Sequence, residues 1–106
     1  MTFLQLADIE EKELVPGYHV KFVHSEHMTF AHWRIDKGAT LPLHSHPHEQ
    51  VANLIEGTFE LQVGDETRIV GPGDVAVIPG GVEHTGTAIT DCRIIDVFYP
   101  IREDYQ

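Results

Sequence analysis

Hydrophobic and polar residues alternate along short segments of this chain, and turns rich in glycine or proline separate the segments. The clearest case is 58–63, where Phe59, Leu61 and Val63 alternate with polar neighbours, the period of a half-buried strand. The pattern predicts strands at 18–24, 28–36, 51–56, 58–63, 67–70, 75–78, 84–88 and 93–99. No segment has a helical period. Many short strands joined by tight turns predict an all-β fold of antiparallel strands, as a sandwich or a barrel.

Two connecting segments have features of their own. Gly64 and Asp65, between two alternating segments, predict a tight hairpin. The charged residues 10–13 are expected to form a solvated loop or a short helical turn, because nothing there is apolar enough to be buried.

The predicted strand 51–56 is apolar on both faces. Val51 and Ile55 share one face, while Ala52 and Leu54 share the other. A strand of this kind is typical of a sheet that is covered on both sides. We therefore expect a homodimer formed by sheet packing.

Length and charge narrow the function further. A chain of 106 residues predicts a single domain, 1–106. The net charge of −10, from 17 acidic and 7 basic residues, argues against nucleic acid and anionic membranes as partners.

The sequence also bears on the cellular location. The start of the chain lacks the pattern of a signal peptide, and no segment approaches the roughly 20 apolar residues of a membrane span. The single Cys92 fits a reducing compartment. The expected location is cytoplasmic, with Cys92 as a small buried hydrophobe rather than a nucleophile.

Candidate chemistry is concentrated between residues 44 and 50, which hold three histidines, a glutamate and a glutamine. Burying so many polar groups without partners would cost free energy, so they need a ligand or water. His44 and His46 point to the same side of an extended chain, and imidazole is the commonest protein ligand for a transition metal. This pattern predicts a metal site. The other histidines lack ligand spacing and are expected at the surface or as satisfied core residues: His19, His24, His27 and His32.

Two spaced motifs around this cluster resemble those of the cupin family. The first, 38–57, reads Gly38, five residues, His44-Ser45-His46, then Gln50, six residues and Gly57. The second, 73–88, reads Gly73, five residues, Pro79-Gly80-Gly81, two residues and His84, and fifteen residues separate the motifs. The chain departs from the family pattern at two positions, with Gln50 for the usual glutamate and Ala88 for a frequent asparagine.

The resemblance implies a jelly-roll β-barrel with one divalent transition metal at its mouth, bound by His44, His46, Gln50 and His84. Zinc, nickel, manganese and iron all stay open as that metal. Glu49 is an alternative to Gln50 as ligand if the strand bulges. His48 is expected beside the ligands or at the mouth of the barrel.

The C-terminal segment adds a second resemblance. In a strand, Asp96 and Phe98 share one face, and Arg102 follows shortly after them. Asp-x-Phe-x-Pro-x-Arg-Glu-Asp, together with His-x-His-Pro-His-Glu-Gln, resembles the pectin-degradation (KdgF-like) cupins. These cupins convert 4,5-unsaturated monouronates into linear keto-uronates. The resemblance implies an enzyme with Asp96, Phe98 and Arg102 as active-site residues and a small anionic substrate, a sugar acid.

Other interpretations stay open at this point. Asp96 would instead cap a turn, and Arg102 would pair with Glu103 or another surface acid. The same metal ligands would also serve a non-haem metal dioxygenase, or a cupin that binds a sugar or an anion without changing it.

Overall fold

The computed structural model describes residues 2–106 and consists mainly of β-strands. In chain order the strands are β1 Lys12–Val15, β2 Tyr18–His24, β3 Thr29–Ile35, β4 Thr40–His44, β5 Glu49–Glu56, β6 Phe59–Val63, β7 Glu66–Val70, β8 Val75–Ile78, β9 His84–Ala88 and β10 Cys92–Tyr99. Single 3-10 turns lie at Leu6–Asp8 and Glu103–Tyr105. Among residues 2–106, no helix is long and apolar enough to span a membrane.

The strands form two antiparallel sheets that face each other. One sheet has the order β1-β2-β3-β10-β5-β8, and the other has the order β4-β9-β6-β7. Consecutive residues of β10 alternate strictly between buried and more exposed positions. The core therefore lies between the sheets, as the all-β jelly-roll prediction requires, and every second residue of β10 points into it.

Gly86 on β9 lies against aromatic side chains from both sheets. A Cβ atom at this position would lie 2.3 Å from ring carbons of Phe59, on the neighbouring strand β6. The Tyr18 hydroxyl also donates a hydrogen bond to the Gly86 carbonyl, at 2.8 Å. Only glycine fits between these two aromatic side chains.

The prediction for residues 10–13 is wrong in part, because Lys12–Val15 forms an edge strand. It pairs with β2 through Lys12 and Val20 and through Glu13 and His19. Three of its four residues are exposed. Charged side chains are tolerated there because an edge strand needs only one bonding partner and keeps much of its surface in water.

The strand β4 was missed, and the predicted strand at 51–56 begins two residues too late. The structure extends β5 back to Glu49, so that Gln50 becomes a strand residue. β4 pairs with β9, and the register shifts between Leu41 and His44, which sets His44 opposite His84. Pro42 argued against a strand at 40–44, and the dense polar cluster at 44–50 hid the start of β5.

Gly57, which ends the first motif, allows a clear stability prediction. Its φ is +93°, and a Cβ atom would lie 2.2 Å from the Asp91 carbonyl oxygen. Gly38, which begins the motif, has a φ of +85° but no atom within 4 Å of such a Cβ. We expect Gly38→Ala to lower the free energy of unfolding by about 1–2 kcal/mol, the cost of the left-handed conformation alone. Gly57→Ala should cost several kcal/mol because the backbone must also move.

Denaturant unfolding of both variants measures the two costs. If Gly38→Ala and Gly57→Ala lower the free energy of unfolding equally, the backbone at Gly57 moves away from Asp91 without cost.

Candidate metal centre and active site

Three histidines from different parts of the chain converge at one end of the barrel. His44 ends β4, His46 follows in the connection to β5, and His84 begins β9. One ring nitrogen of each lies within 4.8 Å of the corresponding atom of the other two. The structure therefore brings together the three histidines that the motifs predicted as ligands.

Hydrogen bonds fix the orientation of all three rings. The Nδ1 atoms of His44, His46 and His84 lie 2.7, 3.0 and 2.9 Å from the main-chain carbonyl oxygens of Pro42, His48 and Val82. A carbonyl oxygen only accepts, so each Nδ1 carries the proton and each Nε2 presents a lone pair. This arrangement is typical of histidines that bind a metal through Nε2.

Gln50 adds a fourth donor atom. Its side chain is 7% exposed, and its Oε1 lies 3.0 Å from Nε2 of His46. With the proton of His46 on Nδ1, both facing atoms are acceptors, and neither supplies a hydrogen. Nε2 of His84 is also buried without a hydrogen-bond partner among the described residues. These unpaired acceptors fit a cation between them, because a positive charge satisfies each of them.

The charge state of the histidines also suits metal binding. Burial is the main cause that lowers the pKa of His46 to about 4, and the Arg102 guanidinium lowers it further. Burial likewise lowers the pKa of His84. Both imidazoles are therefore neutral at pH 7, the form that binds a metal.

The neighbours of the cluster take other positions. Glu49 is exposed and lies opposite Tyr99 of the neighbouring strand β10, while Gln50 on the same strand points inward. His48 lies beside the cluster, with its ring centroid 5.6 Å from that of His46. Its Nδ1 is buried and has no hydrogen-bond partner in the described chain. The arrangement therefore brings Gln50 rather than Glu49 to the histidines, and it sets His48 next to them.

Asp96 projects from β10 into the same cavity and is 8% exposed. Nε1 of Trp33 donates a hydrogen bond of 2.9 Å to its Oδ2. Its Oδ1 is buried and makes no hydrogen bond to residues 2–106. Burial raises the pKa of Asp96 to about 7, and the Gln50 amide, the Trp33 indole and the Arg102 guanidinium offset this only in part. A carboxyl group that titrates near neutral pH is suited to proton transfer.

Phe98 and Arg102 form the wall beside Asp96. The Phe98 ring contacts that of His46, with centroids 5.5 Å apart. The guanidinium carbon of Arg102 lies 4.7 Å from the Phe98 centroid and 4.1 Å from that of Tyr105. Arg102 pairs with Asp104, through Nε and Nη2, at 3.0 and 2.8 Å. Arg102 is thus a buried residue that lines the cavity. Its acidic partner is the surface residue Asp104 and not Glu103.

Below these polar groups the cavity is apolar. Its deeper lining is mainly apolar, with Trp33, Leu54, Phe59, Leu61 and Ile94 among its residues. Polar groups are concentrated at one end of the cavity and fix the orientation of any ligand there.

Sequence reasoning missed three residues of this site, namely Trp33, Asp104 and Tyr105. Trp33 comes from a distant strand and is linked to Asp96 only by the pairing of β3 with β10. Asp104 ends the C-terminal motif and Tyr105 follows it, but their contacts with Arg102 depend on a 3-10 turn that the motif does not specify. The one feature of the sequence that could have drawn attention to Trp33 is that it is the only tryptophan in the chain.

The remaining histidines lie away from the cluster. His19 is close to Asp36, with its Nε2 3.0 Å from Oδ2, and His27 is largely exposed. His24 binds Thr29 and the Tyr105 carbonyl, and His32 lies on the outer side of β3. Cys92 is 2% exposed, and burial raises the pKa of its thiol, which makes it a poor nucleophile.

Comparison with known families agrees with the fold. The cupin domain family matches residues 31–98, and the chain belongs to this family. The structure is similar to that of KdgF from Halomonas sp., with a TM-score of 0.92 and 29% identity over 99% of this chain and 100% of the other. It is also similar to an RmlC-like cupin from Shewanella frigidimarina, with a TM-score of 0.94 and 27% identity over 100% and 96% of the two chains.

Two further matches come from proteins of different sizes. A variant of oxalate decarboxylase from Bacillus subtilis matches with a TM-score of 0.82 and 25% identity, over 92% of this chain but 29% of its own. An uncharacterized protein of Streptomyces coelicolor is 29% identical over 94% of this chain and 97% of its own length. Enzymatic cupins therefore occur among the structural neighbours, and the site has the donor set of a metal-binding cupin.

Proposed function

We propose that this cupin is a metal-dependent enzyme that converts 4,5-unsaturated monouronates into linear keto-uronates. The observation that carries the proposal is the position of Asp96, a carboxyl group with a pKa of about 7, in the same cavity as the histidine cluster. The similarity to KdgF over the whole chain supports it. So does the match of Asp96, Phe98 and Arg102 to the motif of the pectin-degradation cupins.

The donors His44, His46, His84 and Gln50 would hold one divalent transition metal: zinc, nickel, manganese or iron. None of these side chains carries a negative charge when it binds, so the ion keeps its full charge and favours an anionic ligand. When bound, such an ion acts as a Lewis acid that stabilises negative charge developing on a ligand oxygen. The residues of the chain account for the remaining steps.

Asp96 is the proton carrier in this mechanism. Its unpaired Oδ1 takes the proton of the anomeric hydroxyl while the bond from C1 to the ring oxygen breaks. C1 becomes an aldehyde, and the former ring oxygen stays on C5 as an enolate. Asp96 delivers the same proton to C4, which converts the enolate into a ketone, so the product is a linear keto-uronate with the same atoms as the substrate.

Phe98 and Arg102 position the sugar acid in this mechanism. The Phe98 ring forms an apolar wall for one face of the sugar and keeps water away from Asp96. Arg102 provides positive charge for the substrate carboxylate, and its planar guanidinium packs against two aromatic rings, Phe98 and Tyr105. Because ring opening also occurs without a catalyst, these few groups need to supply only a moderate acceleration.

An ultraviolet assay tests the proposal. The metal content of the purified protein is measured first, and the absorbance of a 4,5-unsaturated galacturonate is then followed with metal-loaded and chelated protein. We expect the conjugated absorbance to disappear faster with the loaded protein and at the uncatalysed rate with the chelated one. Equal rates in both samples would refute the proposed activity.

The apolar lining deep in the cavity favours a second candidate, a dioxygenase that acts on a ligand with an apolar part. An oxygen electrode, with iron-loaded protein and a small diketone, separates the two reactions. Oxygen uptake would support the dioxygenase. Binding of a uronate without either reaction would instead indicate a cupin that binds a sugar or an anion.

We also propose that two copies of the chain associate through the outer face of the six-stranded sheet. One row across this face joins Val77, Val51, Val97, Phe30 and Val23 as direct cross-strand neighbours. Val77 is 63% exposed and the nearby Val75 is 58% exposed. Large apolar side chains that remain this exposed are typical of an interaction surface.

The charge of this face favours a second copy as the partner. The next row joins Val75, Asn53, Ile95, His32 and Lys21, and neither row contains an acidic residue although the chain has 17. Burial lowers the pKa of His32, so that it is neutral at pH 7. Copies with a net charge of −10 repel each other least where acidic groups are absent. Action in the cytoplasm is part of the same proposal, since the free thiol of Cys92 suits a reducing compartment.

Val77→Glu tests the dimer. A charge placed in an apolar interface should shift the protein to monomers, because burying the carboxylate costs several kcal/mol. Ile69→Glu is the matched control, since Ile69 is 57% exposed but lies on β7 in the other sheet. Light scattering after size-exclusion chromatography gives the mass. A monomeric native protein, or dissociation by both variants, would contradict the proposed interface.

A further inference from the structure

The contact between Arg102 and Asp104 joins two side chains with very different exposure. The Arg102 side chain is 7% exposed, whereas that of Asp104 is 55% exposed. Asp104 therefore reaches from the rim of the barrel to a cation that lies inside it. The ion pair lowers the pKa of Asp104.

This difference determines which partner is easily released. A buried guanidinium without a counter-charge is unfavourable by several kcal/mol, so Arg102 needs an anion at all times. The Asp104 carboxylate is already largely in water, and its loss from the pair is nearly balanced by full hydration. Asp104 is thus a counterion that can leave, provided that another anion takes its place.

Asp104 occupies one of the two edges of the Arg102 guanidinium that suit a carboxylate. It accepts from Nε and Nη2, the two donors of that edge. Each such edge binds a carboxylate through two parallel hydrogen bonds. A ligand carboxylate that binds Arg102 through Nε and Nη2 must therefore displace Asp104.

The main chain around Asp104 is held in place, so only its side chain has to move. The Arg102 amide donates to the Thr29 hydroxyl at 2.9 Å. On the other side, Nε2 of His24 lies 3.3 Å from the Tyr105 carbonyl, and the Tyr105 ring stacks on Phe22 with centroids 4.4 Å apart. These contacts keep Arg102 at the cavity when the Asp104 carboxylate turns away.

We propose that Asp104 is a resident counterion of Arg102 that an anionic ligand replaces, so that Asp104 sets the affinity and charge selectivity of the site. In the free protein Asp104 neutralises the buried guanidinium. In the complex the ligand carboxylate occupies the same edge, and Asp104 faces water. The inference rests on the proposed function only in taking a carboxylate as the ligand, and it does not require turnover.

Asp104→Asn is the test, with Glu103→Gln as the matched control. Both variants remove one negative charge from the same 3-10 turn, but only Asp104 pairs with Arg102. Calorimetry measures the binding of D-galacturonate, and of neutral D-galactose, to the protein with the metal it carries when purified. We expect Asp104→Asn to bind galacturonate about two- to fivefold more tightly, the upper part of the range of a partly exposed ion pair. Glu103→Gln should change this affinity less than twofold, and galactose should bind all forms alike.

A weaker or unchanged affinity of Asp104→Asn would overturn the proposal, since it would show that Asp104 only holds Arg102 in place. Equal tightening by Glu103→Gln would also overturn it, because general electrostatics would then explain the effect. Wild-type protein that binds no galacturonate would do the same.

A second measurement uses only the wild-type protein, so it does not depend on how a variant folds. Nuclear magnetic resonance follows the titration of the Asp104 carboxyl carbon, whose pKa should rise towards its ordinary value when galacturonate saturates the site. An unchanged Asp104 pKa would show that the pair persists in the complex. Tighter binding by Asp104→Asn without any conversion of unsaturated uronate would support the exchange and refute only the proposed reaction.

Discussion

Asp96→Asn should lower the turnover of a 4,5-unsaturated uronate by about 100-fold or more while the bound metal is retained. Proton transfer by a positioned side chain typically contributes 10²- to 10⁴-fold, and asparagine has no proton to exchange near neutral pH. The amide is close to the carboxylate in shape, and its oxygen can still accept the hydrogen bond from Trp33. The fold and the histidine cluster should therefore remain as they are.

The control for this prediction is Asp74→Asn. Asp74 lines the same cavity but is exposed, and its carboxylate accepts a hydrogen bond from the Gly71 amide. Initial rates from the ultraviolet assay, with metal content measured on the same samples, give the comparison. Wild-type turnover by Asp96→Asn would exclude Asp96 as the proton carrier. Loss of the metal would show that its role is structural.

The second large effect is expected from His84→Ala, which should remove the metal and reduce turnover to the rate of chelated protein. His84 is the only donor from the second motif, and its Nε2 is one of the atoms that converge on the proposed ion. Loss of a residue that merely supports a ligand typically costs 10- to 100-fold in affinity, so loss of a ligand should cost at least about 100-fold.

His48→Ala is the matched control, because His48 lies beside the same cluster and its ring makes no hydrogen bond through Nδ1. The His48→Ala variant should keep the metal, because His48 holds the ring of His46 through its main-chain carbonyl, which alanine also has. Competition with a metallochromic indicator measures both affinities. Similar losses from the two variants would mean that His48 is itself a ligand.

Local patterns predicted most of the fold, and the spaced motifs predicted that His44, His46 and His84 come together. The two strand segments that were missed are β4 and the start of β5. A proline interrupts the first and polar site residues form the second, so the hydrophobic period was too weak to detect.

The partners of the site residues could not be predicted in the same way. Trp33 reaches Asp96 because β3 and β10 are neighbours in a sheet whose strand order no local pattern specifies. The C-terminal motif predicts Arg102 as an active-site residue, and the alternative is a surface ion pair. In the structure Arg102 is buried beside the cavity and pairs with the exposed Asp104. Its burial and its contact with Asp104 follow from the path of the C-terminal segment across the end of the barrel.

The backbone carbonyls that hold the three histidine rings bear on how the protein would acquire the proposed ion. The main chain sets the direction of each ring, and other residues form the apolar core. We therefore expect the fold to persist when the ion is removed, in contrast to small zinc domains, which unfold without their metal. The supply of metals in the cell would then determine which ion each copy carries.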